Sequence, residues 1–200
     1  MITIEQARQL YAADDTAHDF DHVLRVLALA ERIAEAEGAD RAIVRTAALL
    51  HDVAHDEPGH HLRGAERARQ ILADQPPAFV AAVAHAIEAH RFRAAPQPQT
   101  LEAQVLFDAD KLDAIGAVGV ARAFAHTAHQ GQRLFVPLDE VDEQSLASGP
   151  GHTAVHEFVF KLARLRDLLY TKTAREIARR RHDFMVAFFQ RLDAEARGEA

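Results

Sequence analysis

Two hundred residues, 48% of them hydrophobic, suffice for one domain with a sizeable core. A formal net charge of −7, with acidic and basic residues mixed throughout, argues against a nucleic-acid-binding surface. The absence of cysteine excludes disulfides, iron–sulfur clusters and thiolate zinc sites, so any metal must be held by N and O ligands.

In chain order, nearly every segment reads as helix. Ala, Leu, Glu and Arg dominate, and β-branched runs of period two are absent. Ile4 to Ala12 forms a short first helix. Asp19 or Asp21 caps a long second one that runs to Glu37 and stops at Gly38. Asp40 starts the next, which ends near Val53. His55 to His60, with Pro58 and Gly59, reads as a loop, and His61 to Asp74 as helix. Pro76-Pro77 breaks the chain, and Pro77 suits a first helical turn. Phe79 to His90 follows, then a loop marked by Pro96 and Pro98, then a helix capped by Thr100 over Leu101 to Asp113. Beyond Gly116 and Gly119 a further helix reaches about His129. An irregular loop covers about 130–151. C-terminal helices fill 152–197, as His152 to Tyr170 and Thr173 to Ala196. The fold class is all-α, in a single domain over 1–200. No apolar run reaches membrane-spanning length. The start Met1-Ile2-Thr3-Ile4-Glu5 lacks a cationic segment followed by an apolar one. A soluble cytoplasmic protein is the expectation.

The chemistry begins at His51-Asp52, which closes the apolar run Ala47-Ala48-Leu49-Leu50. An ionised Asp beside a core-facing stretch is costly to desolvate. No Lys or Arg lies between Arg45 and Arg63 to compensate it. A divalent cation would. Helical spacing sets His22 on the stripe of Val26, Leu29 and Ile33. It sets His51 with Val44, Ala47 and Ala48, and Asp110 with Ala103, Leu106 and Phe107. Each of these polar residues extends an apolar face and so points inward. Helical bundles build metal sites by converging imidazole and carboxylate in this way. The set His22, His51, Asp52 and Asp110 leaves positions open for water and a phosphate oxygen.

At these residues the chain resembles the HD-domain superfamily of metal-dependent phosphohydrolases. The matching pieces are His22-Val23-Leu24-Arg25-Val26, Leu49-Leu50-His51-Asp52-Val53 and Asp108-Ala109-Asp110-Lys111-Leu112-Asp113. The likeness is strongest to stand-alone bacterial HD hydrolases of this size. It includes His18-Asp19-Phe20-Asp21-His22, Ala114-Ile115-Gly116 and His90-Arg91-Phe92, and it extends over nearly the whole chain. The resemblance implies an HD-domain helical bundle in which His22, His51, Asp52 and Asp110 ligate one divalent ion: Mn, Mg, Fe, Ni, Co or Zn. In related alarmone hydrolases the pair is followed, two residues on, by Glu-Asp. Here those positions are His55 and Asp56, so the substrate does not transfer directly. The Lys at position 55 that marks a cyclic-nucleotide branch is also absent.

Around that centre, Asp56 lies one turn past Asp52 and is the candidate to orient or deprotonate the water. Glu57 is its backup. Lys111, next to a ligand, is the candidate to neutralise developing charge. His18, Arg25 and His90 are candidate substrate contacts; His90 lies on the stripe of Val83 and Ile87, and His85 on the opposite side. His61 resembles a segment that supplies a second-metal ligand in dinuclear HD enzymes, with Asp52 as the bridge. Lys161 and Arg179-Arg180-Arg181 are further phosphate-binding candidates, though the cluster fits a solvated face better. His126 and His129 read as surface, and Phe158, Phe160, Phe184, Phe188 and Phe189 as core. The resulting reading is a phosphohydrolase that cleaves a phosphoester or phosphoanhydride of a phosphorylated small molecule, plausibly a nucleotide. No nucleic-acid polymer or membrane partner is expected, and a homodimer is compatible with it. The alternatives are a non-catalytic metal-containing regulator and a dinuclear-iron HD oxygenase.

Overall fold

A computed structural model describes residues 2–11, 20–55, 57–91, 95–141, 149 and 151–199. Among them every regular element is helical and there is no strand. The chain divides into two compact units. One comprises Met1–Lys111 with Leu169–Ala174, the other Leu112–Leu168 with Arg175–Ala200. No helix among the described residues is long and apolar enough to cross a membrane.

In the first unit, α1 (Ile4–Arg8) opens with a reciprocal cap. The Thr3 hydroxyl accepts the Gln6 N–H at 3.1 Å, and the Gln6 side chain accepts the Thr3 N–H at 2.9 Å. The helix closes at Arg8, short of Ala12. Helix α2 (Phe20–Glu37) ends where Gly38 adopts φ 78°, a left-handed conformation that glycine takes without a Cβ clash. Of its two expected caps, Asp19 lies outside the described residues and Asp21 sits within the first turn.

Helix α3 (Arg41–Leu50) starts at Asp40, whose carboxylate accepts the N–H groups of Ala42 and Ile43. It ends three residues before the expected Val53. There the backbone tightens into i→i−3 turns, Val53 to Leu50 and His55 to Asp52. Helix α4 (His60–Ile71) begins one residue before the expected His61. Helix α5 (Pro77–Glu88) has Pro77 in its first turn, and α6 (Leu101–Asp113) follows Thr100, whose hydroxyl accepts the Ala103 N–H at 3.2 Å.

Within this unit α2 packs on α3, α3 on α5, and α4 on α5. Ile33, Leu49, Leu50, Ile87 and Leu106 are fully buried between them. Gly64 makes the closest approach. A Cβ there would lie 3.2 Å from the His51 carbonyl oxygen and 3.4 Å from an Ile87 methyl. The absence of a side chain lets α4 lie against the end of α3. Asp108 of α6 is wholly buried, and it accepts from the N–H groups of Tyr170 (2.9 Å) and Thr171 (2.7 Å) and from the Thr171 hydroxyl (2.7 Å).

In the second unit, α7 (Gly116–His129) and α8 (Ala154–Phe160) pack together, and α8 packs on a 3₁₀ segment, Leu162–Leu168. The helix expected over His152 to Tyr170 is thus two pieces. At Lys161 the bonding changes from i→i−4 (Lys161 to Glu157) to i→i−3 (Arg164 to Lys161). The loop about 130–151 holds one 3₁₀ turn, Leu138–Glu140, among its described residues. Helix α9 (Lys172–Ala196) supplies Phe189, which stacks on Phe158 at 4.3 Å. Phe184, expected in the core, is 45% exposed because it falls on the outward side of α9. His126 and His129 are exposed, as are Arg179 and Arg180. Arg181 donates to the Leu112 carbonyl.

Candidate metal centre

Side chains from α2, α6 and the end of α3 meet at one point in the first unit. His22 is the third residue of α2, on the face that buries Val23, Val26 and Ala30. His51 caps the C-terminus of α3, and Asp52 follows in the turn. His51 Nδ1 lies 2.9 Å from the Ala48 carbonyl oxygen. A carbonyl can only accept, so the proton sits on Nδ1 and the Nε2 lone pair is left for the centre. His51 Nε2 lies 3.3 Å from His22 Nε2 and 3.5 Å from Asp52 Oδ2, and His22 Nε2 lies 3.6 Å from that same oxygen. Asp110 Oδ1, from α6, reaches His22 Nε2 at 3.5 Å.

These separations fit an ion. Bonds of about 2.1 Å hold neighbouring ligand atoms about 3.0–3.4 Å apart, close to the edges observed. His22, His51 and Asp52 form a set whose ligand atoms all lie within 4.8 Å of one another. Asp110 joins from the His22 side, with its other oxygen on Lys111 Nζ at 2.5 Å. Two imidazoles and two carboxylates with no thiolate suit a divalent first-row ion or Mg.

Asp52 also belongs to a second such set, with His60 and His90. His90 Nε2 lies 3.7 Å from Asp52 Oδ1, and its Nδ1 is held by the Ile87 carbonyl at 2.6 Å, the same arrangement as at His51. The His90 ring lies 5.4 Å from that of His51 and 5.5 Å from that of His60. Asp52 Oδ2 thus faces His22 and His51 while Oδ1 faces His90, with His60 in the same cluster.

Burial alone would raise the Asp52 carboxyl, but its interactions with the facing His51 and His90 rings outweigh it and hold its pKa well below the ordinary range. Asp110 behaves alike, with Lys111 and then His22 overcoming burial. His51 is pushed down by burial, which keeps its imidazole neutral. Burial and the neighbouring His90 bring His60 down to about 4. A neutral imidazole and an ionised carboxylate are the forms that bind a cation.

The sequence reading missed two residues. His60 was assigned to the loop. It is instead the first residue of α4, turned toward His90. Its neighbour His61, the expected second-metal residue, hydrogen-bonds the Ala95 backbone, and its Nδ1 has no partner. The sequence places Tyr11 only within the expected first helix, Ile4 to Ala12. Its hydroxyl donates to the Leu49 carbonyl at 3.0 Å while its ring meets Phe20 edge-on at 5.4 Å, so it braces the start of α2 against the end of α3. Burial, then the Asp52 charge, raise its pKa well above the usual phenol value.

Of the other candidates, Lys111 sits on Asp110 and over the Phe107 ring at 5.4 Å. Arg25 is half-buried on α2, one turn past His22. Glu57 is held by Arg63 and Arg67, and Arg67 also donates to the Val53 carbonyl at 2.8 Å. His85 faces away and accepts the Gln99 N–H at 3.1 Å. Lys161 pairs with Glu157 on the surface. His18 and Asp56 lie outside the described residues.

The sequence profile of the HD domain family matches residues 19–115, a span that contains all five histidines and carboxylates of the two sets together with Asp110. The chain is 38% identical over 204 residues to the uncharacterised protein YpgQ of Bacillus subtilis, covering 92% of this chain and 87% of the relative. The crystal structure of Bacillus subtilis YpgQ in complex with ADP superimposes with a TM-score of 0.75 at 34% identity, over 99% of this chain and all of the other. An HD-superfamily hydrolase from Bacillus thuringiensis gives a TM-score of 0.77 at 29% identity, over 97% and 94% of the two chains.

Proposed function

This chain belongs to the HD domain family, and we propose on that premise that it is a metal-dependent phosphohydrolase acting on a small phosphorylated molecule, a nucleotide by preference. The observation that carries the reading is the buried Asp52 carboxylate, with His22 and His51 at one oxygen and His90 at the other. His22, His51, Asp52 and Asp110 would hold the ion. A divalent ion held there supplies a Lewis acid that lowers the pKa of water and offsets phosphate charge.

The remaining roles fall to this chain's own side chains. Asp56 orients the attacking water and accepts its proton, a role suggested by its position four residues after Asp52 in the sequence. Lys111 contributes positive charge beside Asp110 where charge develops on the phosphoryl group. Arg25 contacts substrate from α2 and His90 from the end of α5, and His18 is a further substrate contact. The nucleotide preference rests on the ADP complex of YpgQ, which is similar in fold and sequence. The cytoplasm is the compartment that supplies such substrates.

The second set, Asp52, His60 and His90, favours one further reading: a second ion that these three residues would hold, with His90 a ligand instead of a substrate contact. Elemental analysis paired with a screen of phosphoesters and nucleotides, run with Mn²⁺ on one preparation, tests both readings. Turnover with one or two ions per chain supports the hydrolase. Metal-loaded protein that turns over nothing favours a ligand-binding regulator. Two tightly held irons with O₂ uptake favour an oxygenase.

A further inference from the structure

We propose that Arg91 is the anion receptor on the His60–His90 side of the centre, the guanidinium that takes a phosphate group of the bound ligand. The inference rests on the nucleotide reading above and adds the group that recognises the phosphate.

Arg91 directly follows His90, whose ring is fixed by the Ile87 carbonyl and buried against His51 and His60. Four residues on, the Ala95 backbone is tied to the His61 ring. The Arg91 backbone is therefore held directly beside the second set, with its side chain exposed. Burial and His90 are the main causes that lower the His60 and His61 pKa values, and the Arg91 charge acts in the same direction on both.

The charges nearby are otherwise committed. Lys111 is taken by Asp110, Arg63 and Arg67 by Glu57, and Arg69 by Glu88. Arg25 has a partner of its own. Arg91 is exposed and makes no ion pair or hydrogen bond among the described residues. A guanidinium presents a planar fork of donors that matches two phosphate oxygens, and it stays charged at every working pH. No carboxylate must be displaced before it binds an anion.

The test is calorimetric titration of ADP into the full chain, with Mn²⁺ added and without. Wild type, Arg91→Ala and Arg91→Lys are compared, and Mn²⁺ affinity is measured separately. Losing one charge-assisted contact should weaken ADP binding about tenfold or more in Arg91→Ala. Arg91→Lys should recover part of the loss, with Mn²⁺ affinity unchanged in both. The proposal is overturned if ADP affinity stays within about twofold of wild type. It is also overturned if ADP and Mn²⁺ affinities fall in parallel, or if the wild-type chain does not bind ADP. Arg91-dependent binding without turnover would sink the hydrolase reading and leave this one standing; turnover indifferent to Arg91 would do the reverse.

Discussion

Removing the Asp108 carboxylate tests how α6 is held in the first unit. Three donors converge on it: two backbone N–H groups, at Tyr170 and Thr171, and the Thr171 hydroxyl, all within 2.9 Å. Asp108 is 0% exposed, Thr171 is buried and Tyr170 half-buried, so in Asp108→Ala these donors lose their acceptor where water is largely excluded. An orphaned buried donor costs about 1–3 kcal/mol, which makes about 3 kcal/mol the lower bound for the set. For a chain of this size each kcal/mol moves the midpoint by about 2–4 °C, so Tm should fall by about 6–12 °C. Asp108→Asn keeps one acceptor oxygen and turns an NH₂ toward the remaining donor, so it should lie between wild type and Asp108→Ala. Thermal melts followed by circular dichroism at fixed pH and metal content would read both shifts. A drop of less than about 2 °C in Asp108→Ala would mean that this carboxylate does not organise the Tyr170–Thr171 turn, and the packing account of α6 would be refuted.

Gly64→Val places a branched side chain against the His51 carbonyl and the Ile87 methyl, and should cost at least about 2 kcal/mol in urea melts while weakening Mn²⁺ binding through α4. Wild-type stability in that variant would contradict the close approach. The metal-free chain should lose stability as pH falls from 6.5 through about 4. Burial depresses the His60 pKa in the folded state, so the unfolded chain binds more protons over that window. Denaturation midpoints flat from pH 7 to about 4 would exclude a neutral, half-buried His60. Asp56→Ala should leave bound metal unchanged and slow turnover by about 10²-fold or more, as loss of a general base does. Undiminished rates would remove Asp56 from the chemistry.

Much of the architecture was legible because local chemistry and tertiary packing agree. Asp40 caps α3, Gly38 ends α2, Pro77 opens α5 and Thr100 caps α6, each as its residue type dictates. The inward stripes of α2 and α3 likewise brought His22 and His51 to mind as partners, and the two nitrogens lie 3.3 Å apart. Three features were not legible. The apolar run through Val53 carries no stop signal, yet the backbone tightens at Leu50 and lets Asp52 turn inward. His60 follows Gly59 at a helix start, where periodicity has no preceding turn to work with. Tyr11 acts through a hydroxyl bonded to a carbonyl thirty-eight positions away, a pairing that no spacing rule encodes.

The claim on which the rest depends is that Asp52 and its surrounding imidazoles hold a metal ion. Elemental analysis of the purified full chain beside Asp52→Ala, with Mn²⁺ titrated back into both after chelation, tests it directly. The wild-type chain should retain one or two divalent ions and rebind them, and Asp52→Ala should retain and rebind none. Equal metal content in the two proteins would contradict it.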